Sequence, residues 1–167
     1  MLQLLFLTSR RLRGILYKQM YDCAEGFVMG CRIHALGELG DYRFTVIFSK
    51  YQGKLLLSRH KKRTTWENQG GHIEAGEATM DCARRELYEE SGAVDFNIVP
   101  AFDYWASDDA GWANGQVFIA HIRELGAIPE SEMAEVQLFD ELPEDVTYPG
   151  ITPILWEEVR KNPAWEK

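Results

Sequence analysis

Gly71-His-Ile-Glu-Ala-Gly-Glu-Ala-Thr-Met-Asp-Cys-Ala-Arg-Arg-Glu-Leu-Tyr-Glu-Glu-Ser-Gly-Ala93 is the stretch around which the rest of the chain is organised. From Ala78 to Ser91 it holds neither Gly nor Pro, and Gly92 stands where a helix stop belongs, so the spacing predicts a helix over about 78–91. On that helix Glu86, Glu89 and Glu90 are spaced i, i+3, i+4 and share one face. Three like charges on one face repel unless a cation sits among them. Mg²⁺ takes hard oxygen ligands, binds a few carboxylates, and shares its remaining positions with water and phosphate. The spacing alone therefore suggests a Mg²⁺ platform. The competing reading is a solvated acidic helix laced by ion pairs such as Arg85 with Glu89, and the glycines at fixed offsets argue against it.

The same residues carry a family resemblance. The pattern Gly-x5-Glu-x7-Arg-Glu-U-x-Glu-Glu-x-Gly-U, with U an apolar residue, is the Nudix box, and Gly71, Glu77, Arg85, Glu86, Leu87, Glu89, Glu90, Gly92 and Ala93 fill every defined position. The chain thus resembles the Nudix hydrolases. The resemblance implies an α/β/α sandwich with a mixed β-sheet over roughly Phe27 to Lys161, and hydrolysis of a phosphoanhydride in a nucleoside diphosphate derivative with Mg²⁺ as cofactor, Mn²⁺ as a substitute. It implies that the Gly70 carbonyl and the carboxylates of Glu86, Glu89 and Glu90 hold the metal, with Glu86 or Glu89 holding the attacking water. Arg85 is expected to orient acidic neighbours through paired bonds rather than to touch substrate. Glu74 and Glu77 are its expected partners, with the helix N-terminus. A later acid is expected to join the site, and Glu130, Glu132 and Glu135 are the candidates. One departure stands out. Many members carry an apolar residue and a proline before the two glycines, where this chain has Asn68 and Gln69. Asn68 either reads a nucleobase or bonds the local backbone.

Outward from the box, Phe27–His34, Tyr42–Ser49, Lys54–Arg59, Asp95–Ala106, Gln116–Arg123 and Val136–Phe139 have the β-branched and aromatic content of strands, and Ile151–Lys161 that of a closing helix. Strands surrounding one central helix, with a second at the end, predict a single α/β domain with a mixed sheet covered by helices. Ser107–Gly115, rich in Asp, Asn and Gly, is expected to be a mobile rim, with Trp112 on it free to stack on a base. Phe118 or Trp105 is expected in the core. Arg59, at a strand end, is the expected phosphate contact, whereas Lys61 and Lys62 read as a solvated turn.

The 167 residues suffice for one domain. Residues 1–20 hold Arg10, Arg11, Arg13 and Lys18 and no acid, leaving −12 on the remainder. They are expected to form a basic extension or extra helix ahead of a single domain over 21–167. Their apolar run is too short to cross a membrane. A formal charge of −8 argues against binding a nucleic-acid backbone. Cys23, Cys31 and Cys82 have neither metal-site nor disulfide spacing and fit a reducing, cytoplasmic compartment. A small-molecule nucleotide is the expected partner, with no nucleic acid and no membrane, and a homodimer is compatible with the sequence. Among substrates, a nucleoside triphosphate, oxidised or not, comes first, since no second domain offers to bind a large leaving moiety. Nucleotide sugars and dinucleoside polyphosphates are the alternatives, and a non-catalytic, nucleotide-binding regulatory module is the alternative of another class. Such a module would be expected to lose ligand carboxylates, and this chain has lost none.

Overall fold

The structure, a computed structural model, describes residues 30–108 and 111–167. Residues 1–20, Cys23 and the Phe27–Met29 part of the first expected strand lie outside the described residues. Seven strands form one mixed sheet: β1 (Gly30–His34), β2 (Tyr42–Tyr51), β3 (Lys54–His60), β4 (Gln69–His72), β5 (Ala93–Asp108), β6 (Gly111–Leu125) and β7 (Met133–Phe139). Among the described residues three helices accompany them: α1 (Thr79–Ser91), α2 (Thr152–Val159) and α3 (Pro163–Glu166). The sheet order is β1-β5-β6-β2-β3-β7, with β4 added beside β2. Only β2 and β6 run parallel; every other pair is antiparallel. Among the described residues no helix is long and apolar enough to cross a membrane.

Strand β2 is central and buried on both faces, so successive side chains feed two cores. Ile47 joins Leu56, Phe118 and Ala120 of the sheet and Ala83 and Leu87 of α1. Phe48 joins Leu57, Val117 and Ile119, with Leu155, Trp156, Val159 and Trp165 from the two C-terminal helices. Helix, sheet and helix therefore stack as three layers, the α/β/α sandwich expected of the sequence. The β2–β3 hairpin turns through Gln52 and Gly53, both at positive φ (52° and 80°), the backbone of a tight primed turn. Helix α1 stops where Gly92 enters the left-handed region at φ 74° and its N–H bonds Tyr88 O at 2.8 Å.

Several sequence expectations are corrected. The described residues of the expected rim, Ser107, Asp108 and 111–115, are strand: β5 and β6 stay in register out to Ser107↔Trp112 and Asp108↔Gly111, so Trp112 sits on a strand. Ladder bonds override the weak strand propensity of Asp, Asn and Gly there. Gln69–His72, which leads into the box, is a short strand held by β2 through Phe44↔His72 to Ile47↔Gln69. The C-terminal helix ends at Val159 rather than Lys161, and Pro163 opens a further turn of helix, capped by Asn162 Oδ1 accepting Ala164 N–H at 2.9 Å. Phe118 is fully buried, whereas Trp105 is half-buried beneath the Arg32 guanidinium.

Asp103 carries no distinguishing signal in the sequence. It is fully buried and accepts Leu39 N–H at 3.0 Å, the Tyr42 hydroxyl at 2.7 Å and Gln116 Nε2–H at 3.1 Å. Those bonds tie the β1–β2 loop to the sheet.

Candidate active site

The site is assembled where α1 lies along β4. Gly70 has φ 153°, and a Cβ there would stand 2.2 Å from Thr45 O, so only glycine allows the strand to close on β2. At Gly71 a Cβ would stand 2.3 Å from Glu86 Oε1, which means that the Glu86 carboxylate occupies the volume a side chain would need. Cys82, fully buried, packs its Sγ 3.3 Å from Thr45 Oγ1 and anchors the helix to β2.

Glu90 Oε2 accepts the Gly70 N–H at 2.8 Å. Burial pushes the Glu90 carboxyl up to about 8; the Gly70 bond opposes that, and the charges of Glu86, Glu67 and Glu89 reinforce it. Burial also raises Glu86, against the pull of Arg85. Arg85 is the hub. It donates to Glu77 through Nε (2.9 Å) and Nη2 (3.0 Å), to Glu86 at 2.7 Å, to Glu89 at 3.3 Å and to His72 O at 3.2 Å. The Arg85 contact holds the Glu77 carboxyl down at about 2. Glu74 contributes its backbone N–H, which donates to Glu77 at 3.0 Å, and not its carboxylate.

Glu67 escaped the sequence reading. It is 6% exposed, its backbone bridges Ser58 in both directions, and Arg63 Nη1 donates to its carboxylate. Beneath it the Ser58 hydroxyl donates to Glu90 O at 2.8 Å, and Gln69, fully buried, bonds Ser58 and Ser49. A buried acid beside Glu90 was not legible because nothing in Trp66-Glu67-Asn68 marks Glu67 as internal. Only the Ser58↔Glu67 bridge does so.

The remaining candidates are scattered. Arg59 is engaged by Glu135 at 2.6 Å and by Arg63 O at 3.1 Å, and Glu132 holds His60 at 3.0 Å. Glu130, Glu132 and Glu135 are all exposed. Asn68 alternates with Gln69, so its side chain turns away from α1; Nδ2 reaches Ile47 O at 3.4 Å, and Oδ1 is buried with no hydrogen-bond partner. Trp112 lies on the other side: its strand-mates Phe118 and Ala120 pack under α1, and Thr79, at the helix start, donates to Gln116 Oε1 at 2.7 Å. Asn68 and Trp112 therefore occupy opposite faces of the sheet.

Among the described residues no three acidic, histidine or cysteine side chains close into a cage. The candidate donor set is open and all-oxygen: Glu86 and Glu90 with one guanidinium between neighbouring acids, the more exposed Glu89, and a pair of glycines that add no side chain of their own. That chemistry fits Mg²⁺, which leaves positions to water and phosphate, better than a closed transition-metal site.

The Nudix domain family matches residues 41–149. The chain belongs to the Nudix family. Solved structures share its fold. A point mutant of a pyrophosphohydrolase from Bacillus subtilis is 21% identical, with 81% of this chain and 91% of that one covered and a TM-score of 0.66. A Nudix-family hydrolase from Clostridium perfringens is 18% identical, covering 77% and 98%, at 0.57. The Nudix domain of NrtR from Shewanella oneidensis, in complex with ADP-ribose, is 17% identical, covering 74% and 88%, at 0.55. No curated protein matches the sequence.

Proposed function

We propose that the protein hydrolyses a phosphoanhydride bond in a nucleoside diphosphate derivative, with Mg²⁺ as cofactor, Mn²⁺ as substitute, and a nucleoside triphosphate, oxidised or not, as the preferred substrate. The observation that carries the reading is the crowding of Glu90, Glu86 and Glu67, all largely buried, beside Gly70 and Gly71. Glu86 and Glu67 have Arg85 and Arg63 as partners, whereas Glu90 has only the Gly70 N–H; a buried acid without a matching cation costs stability, and an enzyme tolerates that cost where a ligand repays it.

In this reading the Gly70 carbonyl, Glu86, Glu89 and Glu90 hold the metal, which when bound neutralises phosphate oxygens and acidifies water. Arg85 keeps Glu86 and Glu89 in place and touches no substrate, because its donors are already spent on Glu77, Glu86, Glu89 and His72 O. Glu89, the most exposed of the three box acids, is the group best able to take a proton from water; Glu86 is restrained by the shorter Arg85 bond. Glu67 adds negative charge behind Glu90. It is a stronger candidate for the additional acid than Glu130, Glu132 or Glu135, two of which are already paired at the surface. Arg59 reaches phosphate only by leaving Glu135, and Asn68 reaches a base only by turning its buried, unpartnered Oδ1 outward. Burial of both described cysteines, Cys31 and Cys82, as free thiols suits a cytoplasmic protein.

The test is product identity from a panel of nucleoside triphosphates, nucleotide sugars and dinucleoside polyphosphates, with Mg²⁺ and with chelator. Metal-dependent release of a nucleoside monophosphate and pyrophosphate from a triphosphate is the expected result. Turnover undiminished in chelator would overturn the reading. Tight binding of a nucleotide with no turnover on any member would favour the regulatory-module alternative.

A further inference from the structure

A cavity of about 510 Å³ opens at the start of β2 and β6, the end of those strands away from the β2–β3 turn, lined by Asp41, Arg43, Trp112 and Asn114 among others. It lies on the α1 face, beyond the helix's first turn, because Trp112 and Asn114 alternate in step with Gln116, which Thr79 bonds. It is connected to the box: Arg43 O accepts the Ile73 N–H at 3.0 Å, and Arg43 stands two residues, roughly 7 Å, along β2 from Thr45, the partner of Gly71.

The lining is chemically mixed. Trp112 is 65% exposed, the most exposed of the large apolar side chains among the described residues. Its indole offers a flat apolar surface at the mouth of the cavity. Among the described residues neither Asp41 nor Arg43 takes part in an ion pair. Asn114 Nδ2 donates to Gly40 O at 2.7 Å, which leaves its oxygen as an acceptor. A ring to stack on, a carboxylate and an amide oxygen to accept N–H bonds, and a guanidinium for an anion together match one ligand class, a nucleotide. The volume suits it, since small-molecule sites span about 300–1,000 Å³. The acceptors select further: guanine presents adjacent N–H donors on its pairing edge, which a carboxylate accepts together, whereas adenine presents an acceptor there.

We propose that this cavity is a second nucleoside site, selective for guanine, separate from any base held near Asn68 on the opposite face. Trp112 stacks on the base, Asp41 accepts from its edge, and Arg43 meets the phosphate. The proposal rests on the nucleotide reading above only for the choice of probe.

The test is equilibrium binding of GMP and AMP to the full chain in EDTA, where no turnover occurs. GMP is expected to bind saturably and more tightly than AMP. Trp112→Ala should weaken GMP by about tenfold or more, the scale of base–aromatic stacking, with Trp112→Phe recovering most of it. Asp41→Asn should abolish the preference for GMP. The Asp41 and Trp112 variants should melt with the wild type, since both residues are exposed. GMP affinity unchanged in Trp112→Ala, a preference for GMP retained in Asp41→Asn, or no saturable GMP binding would each overturn the proposal. Hydrolysis is not measured, so failure here leaves the pyrophosphohydrolase reading intact, and failure of the nucleotide panel would leave metal-free GMP binding to stand by itself.

Discussion

Glu90→Gln separates the stability of the site from its chemistry. In the metal-free protein burial raises the Glu90 carboxyl from its ordinary 4.5 to about 8. Between those two values the folded chain holds a proton that the unfolded chain has released. Stability contributed by the neutral carboxyl is therefore fully present below about pH 4.5 and is lost as pH rises towards 8. A shift of this size corresponds to an upper bound of roughly 5 kcal/mol. Glutamine removes the charge and keeps an oxygen for the Gly70 N–H, while its new amide N–H₂ costs about 1–3 kcal/mol if it stays unpaired. The net gain at pH 8.5 in EDTA is then about 3 kcal/mol, or on the order of 10 °C in melting temperature for a domain of this size. At pH 4.5 no gain is expected. In saturating Mg²⁺ most of that gap closes: the wild type gains about 2.7 kcal/mol at a hundredfold excess over Kd, and the variant, short of one ligand, gains much less. Thermal melts at the two pH values, with EDTA and with Mg²⁺, measure all four quantities, and a triphosphate assay should show most activity lost with the fold retained. A variant no more stable than wild type at pH 8.5 in EDTA would refute the burial argument. Full turnover in the variant would refute the metal assignment.

Further outcomes follow from other residues. Asn68→Ala should change the ranking of purine against pyrimidine substrates more than the overall rate, because it removes an acceptor with no protein partner; uniform loss on all nucleotides with a lowered melting temperature would make Asn68 structural. Arg85→Lys should lower kcat sharply with little effect on KM, since a lysine cannot span Glu77, Glu86 and Glu89 together; an equal rise in KM would mean that Arg85 binds substrate. Asp103→Ala should destabilise by about 3 kcal/mol, because Tyr42, Leu39 and Gln116 lose a buried acceptor at once; a denaturant melt within about 0.5 kcal/mol of wild type, the spread of surface substitutions, would refute that. Deletion of residues 1–20 should leave hydrolysis largely intact, as every box residue lies downstream; a folded but inactive truncation would assign the segment to the site.

What the sequence determined by itself is local. Helix α1, its stop at Gly92, the shared face of Glu86, Glu89 and Glu90, and the Arg85–Glu77 partnership depend on spacing along one helix and its entry loop, and spacing is written in the chain. That Ile47 and Phe48 lie on a strand was similarly legible from the β-branched and aromatic residues around them. The tertiary structure decided whatever depends on a distant partner. Ile47 and Phe48 enter separate cores because helices from two parts of the chain cover the two faces of the sheet. Gln69–His72 becomes a strand because β2 supplies its ladder, and Ser107 to Trp112 stays paired because the β5–β6 register runs on past residues of low strand propensity. Glu67 becomes a buried neighbour of Glu90 only through its bridge to Ser58. Asn68 and Trp112, alike in sequence as polar-loop candidates for one base, are separated by the sheet itself. Side chains on a strand alternate with period two, and which face each takes is settled by the strand's neighbours, not by its own residues.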